Sequence, residues 1–125
     1  MFTHLVVGAN DMAAAKSFYD AALGALGLGG GTAAGEDRVV YASSTGMLLV
    51  TKPIDGNLAS FGNGITVGFS APNIDAVDAF HASGIAAGGS DAGAPGPRLA
   101  IPNSYAAYLR DPTGNKLVAW CVKDA

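Results

Sequence analysis

The sequence is thin in the side chains that usually announce chemistry, with one cysteine, two histidines and a charged fraction of only 14%. A single cysteine closes no internal disulfide, so a reducing, cytoplasmic setting is expected. Neither a basic-then-apolar leader nor an apolar run of about 18 residues occurs, so no membrane partner is expected. The seven Lys and Arg do not cluster along the chain and the net charge is −3, which argues against a nucleic-acid surface. The same mild acidity would suit a cationic guest. There is no Gly-x-Ser-x-Gly elbow, and neither histidine stands in a recognisable Ser or Cys constellation, so nucleophilic catalysis has no support. The glycine-rich run 27–35 fits no phosphate-binding pattern and follows a helix rather than a strand. It reads as a flexible connection with room for a short strand.

Half of the 125 residues are apolar, enough for one folded domain with a real core. Residues 2–8 alternate as a strand, placing Phe2, His4 and Val6 on one face. Asn10 or Asp11 offers a cap oxygen, and Met12, Ala15, Phe18, Tyr19, Ala22, Leu23 and Leu26 recur at helical spacing. Arg38–Ala42 and Met47–Thr51 read as strands across the turn Ser43–Gly46. Near the C-terminus, Tyr105–Leu109 and Leu117–Val122 flank Asp111-Pro112-Thr113-Gly114-Asn115. Proline presets one turn angle there and glycine supplies a positive φ, which predicts a hairpin. In its second strand Lys116, Val118, Trp120 and Val122 share one face, and Leu117, Ala119 and Cys121 the other. Cys121 therefore reads as a small core residue.

The plan repeats. His4–Asp20 aligns with Thr66–Ala82 at a constant offset of 62, so that Met12 falls on Ile74, Phe18 on Phe80 and the cap Asp11 on Asn73. Tyr41 matches Tyr108, and Ser44–Gly46 matches Pro112–Gly114, at offsets of 67 and 68. We read an internal duplication of a βαβββ unit: module one at about 1–54, a linker at about 55–63 and module two at about 64–125.

The C-terminal hairpin and the duplicated βαβββ plan resemble the vicinal-oxygen-chelate superfamily of glyoxalases, bleomycin-resistance proteins and extradiol dioxygenases. The resemblance implies an α+β fold in which two modules build a curved mixed sheet around a cavity, with helices outside, and it suggests a homodimer. In metal-dependent members each module gives one ligand from its first strand and one from its last. The corresponding positions here are His4, Thr66, Val118, and either Leu49 by the family pattern or Val50 by the internal repeat. One imidazole and a hydroxyl fall short of the three protein ligands a catalytic metal ordinarily takes. Replacement donors are hard to find; Glu36 and Asp37, in or beside the glycine-rich loop, are the carboxylates that could swing in.

Strand parity would line the cavity with His4, Val6, Thr66, Gly68, Val118 and Trp120. Gly93–Arg98 and Ile101–Tyr105 would serve as rim loops, supplying the donors Arg98 and Asn103, with Tyr105 and Tyr108 nearby. The expected function is binding of a small organic molecule without a cofactor, as in the bleomycin-resistance proteins. His4 is the candidate if any catalysis occurs. The alternatives are a glyoxalase-like lyase, isomerase or dioxygenase holding a divalent metal through non-standard ligands, and a non-catalytic structural or regulatory module.

Overall fold

The computed structural model describes residues 1–123; Asp124 and Ala125, the end of the expected second module, lie outside the described residues. The first half of the chain contributes β1 (His4–Gly8), α1 (Met12–Gly24), β2 (Thr32–Ala33), β3 (Arg38–Ala42) and β4 (Met47–Thr51). The second half repeats the order with β5 (Val67–Ser70), α2 (Ile74–Ala86), β6 (Ser90–Pro97), β7 (Ser104–Arg110) and β8 (Lys116–Val122). Two four-stranded mixed sheets result, ordered β1-β4-β3-β2 and β5-β8-β7-β6. They share one topology and do not close into a barrel.

The repeat is visible in the helices residue by residue. Adding 62 to Met12–Gly24 gives Ile74–Ala86. Each helix starts on a short polar cap whose oxygen takes an orphan amide: Ala14 N donates to Asp11 Oδ1 (3.0 Å) and Ala76 N to Asn73 Oδ1 (2.8 Å). The apolar stripe of α1 is buried, with Phe18, Tyr19 and Leu23 wholly inaccessible. Burial of each such side chain is worth about 1.5–3 kcal/mol. Gly84 of α2 lets the helices approach, because a Cβ there would run into Leu109 and lie 3.2 Å from Phe18.

Register resolves one choice that the sequence left open and corrects one expectation. Val7 pairs with Val50 and Phe69 with Ala119, so Leu49, not Val50, is the counterpart of Val118. Val50 is 1% exposed and packs in the core. Likewise Tyr41 pairs with Leu48 and Leu109 with Leu117, so Tyr41 corresponds to Leu109, one residue beyond the expected Tyr108. Tyr41 is accordingly buried against α1, whereas Tyr108 lies on the opposite face of its sheet.

The stretch 93–98 also differs. Gly93 to Pro97 belongs to strand β6 rather than to a loop, and β6 is an edge strand with register shifts between Asp91 and Gly93 and between Gly93 and Gly96. Proline is tolerated at such an edge, where its missing N–H faces no neighbour. The bulges absorb the remaining mismatch.

The turn Asp111–Asn115 ties the halves together. Asp111, 5% exposed, accepts the amides of Thr113, Gly114 and Asn115 on Oδ1, each at 2.9 Å. Its Oδ2 accepts the Tyr19 hydroxyl (2.6 Å) and Asn115 Nδ2 (2.8 Å). Asn115 Nδ2 also donates to Gly8 O at the end of β1 (2.9 Å). Burial, and then the Asp111 charge, hold the Tyr19 phenol well above its usual pKa, so it remains a donor. The linker joins this arrangement through Asn10, whose side chain donates to Ala59 O (3.2 Å) and accepts Ala59 N (2.7 Å).

Candidate functional site

Each sheet buries one face under helices and leaves the other open. On β8, Leu117, Ala119 and Cys121 are buried while Val118 and Trp120 remain partly open. Burial raises the Cys121 thiol pKa, with Lys123 opposing, so it is a poor nucleophile. Residues directly opposite each other in a ladder share a face. Gly68, Val118 and Tyr108 are so aligned across β5, β8 and β7, as are Ser70, Trp120 and Ala106. On the other sheet, Val6 is opposite Leu49 and His4 opposite Met47.

A hollow of about 470 Å³ has His4, Leu5, Leu23, Tyr41, Gly68 and Ser70 among its lining, joining the first module's edge strand to the second's. That volume lies in the range of small-molecule pockets. Of the residues expected from the sequence, His4 and Gly68 meet there. Val118, Trp120 and Tyr108 stand on the open face of β8 and β7, and Val6 on that of β1. Thr66 precedes β5 and is exposed.

His4 is solvent-exposed, and its Nδ1 lies 2.9 Å from Thr3 Oγ1. Tyr105 does not join the open face. It is opposite Cys121, and its hydroxyl donates to Asp78 of α2 (2.7 Å), an interaction that raises its pKa. Asn103 plays a backbone part: its φ of 62° is the left-handed conformation that Asn tolerates, and it turns the chain from β6 into β7. Arg98 Nη1 donates to Gly96 O (2.9 Å) and Nη2 to Ala94 O (2.7 Å), and its guanidinium lies 5.4 Å from the Tyr108 ring centroid.

Two functional candidates were missed: Lys116, whose Nζ is 5.1 Å from the same ring centroid, and Arg110, directly opposite it. The alternation that selected Val118 and Trp120 already placed Lys116 on their face.

The donor set does not fit a divalent cation. The four positions that the resemblance marks as candidate ligands carry one imidazole, one hydroxyl and the hydrocarbon side chains of Leu49 and Val118. Glu36 and Asp37 are exposed and stand outside β3, and among the described residues no three His, Cys, Asp or Glu side chains come together.

These observations define an α+β protein of two paired βαβββ modules with an open, largely apolar face and polar side chains along it. The Glyoxalase/Bleomycin resistance protein/Dioxygenase superfamily profile matches residues 2–119, and the chain belongs to that superfamily. A glyoxalase/bleomycin resistance protein from Albidiferax ferrireducens is 49% identical with a TM-score of 0.91, covering 95% of this chain and 97% of that one. Two further structures share the fold. A glyoxalase/bleomycin resistance protein/dioxygenase family enzyme from Burkholderia phytofirmans is 17% identical, TM-score 0.74, over 97% of this chain and 98% of that one. A lactoylglutathione lyase from Agrobacterium tumefaciens is 23% identical, TM-score 0.66, over 96% and 92% respectively. No curated protein matches.

Proposed function

We propose that the protein binds a small organic molecule on the open faces of its two sheets, without a metal, in the manner of a bleomycin-resistance protein. The observation that carries this reading is the chemistry of the four positions equivalent to the superfamily's ligands. Two of them are hydrocarbon and one a neutral hydroxyl, while the surrounding face keeps the mix of apolar surface and few polar handles suited to a guest. A homodimer belongs to the proposal. β1 and β5 each keep an unpaired outer edge, and Phe2, Val6 and Ile65 are 69%, 54% and 61% exposed, surface that a second copy would cover. The single buried thiol fits a cytoplasmic setting, and no helix among the described residues is long and apolar enough to cross a membrane.

Trp120 is the only tryptophan and lies on the proposed binding face, so it reports binding directly. A library of small aromatic compounds titrated against its emission should yield saturable quenching or a spectral shift, abolished in Val118→Arg. Emission unmoved by every compound, together with a monomer in light scattering, would reject the reading.

A further inference from the structure

The strongest unassigned feature is electrostatic. Three of the seven basic residues, Arg98, Arg110 and Lys116, gather on the open face of β7 and β8, in a protein whose net charge is −3. Lys116 and Arg98 flank one ring, Tyr108, and Arg110 is directly opposite Lys116. None of the three forms an ion pair among the described residues, where the pairs are Asp20 with Lys16, Asp37 with Lys52 and Asp91 with His81.

Their present partners orient them without neutralising them. Arg98 is fixed by the Gly96 and Ala94 carbonyls, and Arg110 Nη1 by Gly114 O at 2.7 Å, with Phe61 5.3 Å away. Carbonyl dipoles and ring quadrupoles attract a cation but carry no net charge to cancel it. Space for the arrangement is built in: a Cβ on Gly93 would stand 3.1 Å from the Tyr108 ring and 3.4 Å from Arg98 Nη2. All three cations are half-buried, so their repulsion is less screened than at an open surface. An anion among them would relieve that repulsion, and Val118 and Trp120 alongside give it an apolar neighbour.

We infer that the Arg98–Tyr108–Lys116 cluster, with Arg110, is the subsite for the anionic group of the guest, which is therefore a small organic anion, a carboxylate, phosphate or sulfonate on an apolar body. This reverses the cationic guest suggested by net charge alone, because a local field outweighs a chain-wide sum. It rests on the binding face proposed above and names what that face selects.

The test uses matched probes of one shape followed by Trp120 emission and by amide chemical shifts: benzoate, phenyl phosphate, benzyl alcohol and benzylammonium, with inorganic phosphate as the bare anion. The two organic anions should bind about tenfold or more tightly than benzyl alcohol, weakening as salt rises. Lys116→Gln should cost them about tenfold and leave benzyl alcohol unchanged, and Lys116→Glu should transfer preference to benzylammonium. Benzyl alcohol or benzylammonium binding at least as tightly as the anions would overturn the anion subsite while leaving the binding face standing. Inorganic phosphate shifting Lys116 and Tyr108 with no gain from a phenyl group would keep the subsite and reject the apolar face. Binding of no probe would reject both. If Lys116→Gln fails to fold, Arg110→Gln gives the same comparison.

Discussion

Removing the Tyr19 hydroxyl tests how the two modules are held. In Tyr19→Phe the ring still fills its wholly buried site, so the packing is kept and only the bond to Asp111 is lost. Hydrogen bonds to charged groups are worth about 1.5–3 kcal/mol net. Asp111 Oδ2 retains the Asn115 side chain at 2.8 Å and Oδ1 retains three amides, so the carboxylate is not orphaned. The loss should thus fall low in that range, at about 2 kcal/mol, or a fall in Tm of about 8 °C for a chain of this length. Urea unfolding followed by Trp120 emission, at fixed protein concentration, should show a lower midpoint with an unchanged slope. Because burial and Asp111 keep the phenol protonated, the difference should persist unchanged from pH 6 to 9. A destabilisation under about 0.5 kcal/mol would refute the claim that this buried bond joins the halves.

The other predictions concern separate elements. Burial pushes the Asp20 pKa up, but the Gly31 amide, Lys16 and the Tyr41 hydroxyl outweigh it and leave it lowered. Its stabilisation is therefore present above the unfolded value near 3.9 and lost as pH falls through the lower folded value. Asp20→Asn should melt below wild type at pH 7, and the gap in Tm should close under acid; a gap constant to pH 2 contradicts this. Gly84→Ala should destabilise by about 1–3 kcal/mol despite its better helix propensity, because the methyl meets Leu109 and Phe18. A stabilised variant in thermal melts would show that the α1–α2 contact has slack. Thr66→His with Val118→Glu, added to His4, should create measurable Zn²⁺ or Ni²⁺ affinity by calorimetry. A folded double variant that binds neither ion counts against the equivalence of these positions.

Much of the architecture was legible because it rests on short-range rules. The caps Asp11 and Asn73 and the periodic apolar residues after them set both helix starts, and alternation set the faces of β8. β6 was not legible, since Pro95, Pro97 and its glycines punctuate like a loop; only pairing with β7 makes it a strand. The Tyr41–Tyr108 match failed because a shared residue type carries less information than a ladder. The cationic cluster was hidden for a related reason. Residues 98, 110 and 116 are twelve and six residues apart, too far for any local pattern to mark them as a cluster, and the β7–β8 register with the turn after β6 brings them together. The joint from Tyr19 to Asp111 spans 92 residues, a separation no local pattern reports.

Whether the fold holds a metal is read by elemental analysis of the protein purified without chelator and then dialysed against equimolar Zn²⁺, Ni²⁺, Mn²⁺ or Fe²⁺. If Leu49 and Val118 occupy two of the four superfamily ligand positions, as proposed, well under one tenth of an equivalent of any of these metals should be retained per chain. Near-stoichiometric retention that is lost in His4→Ala would contradict it.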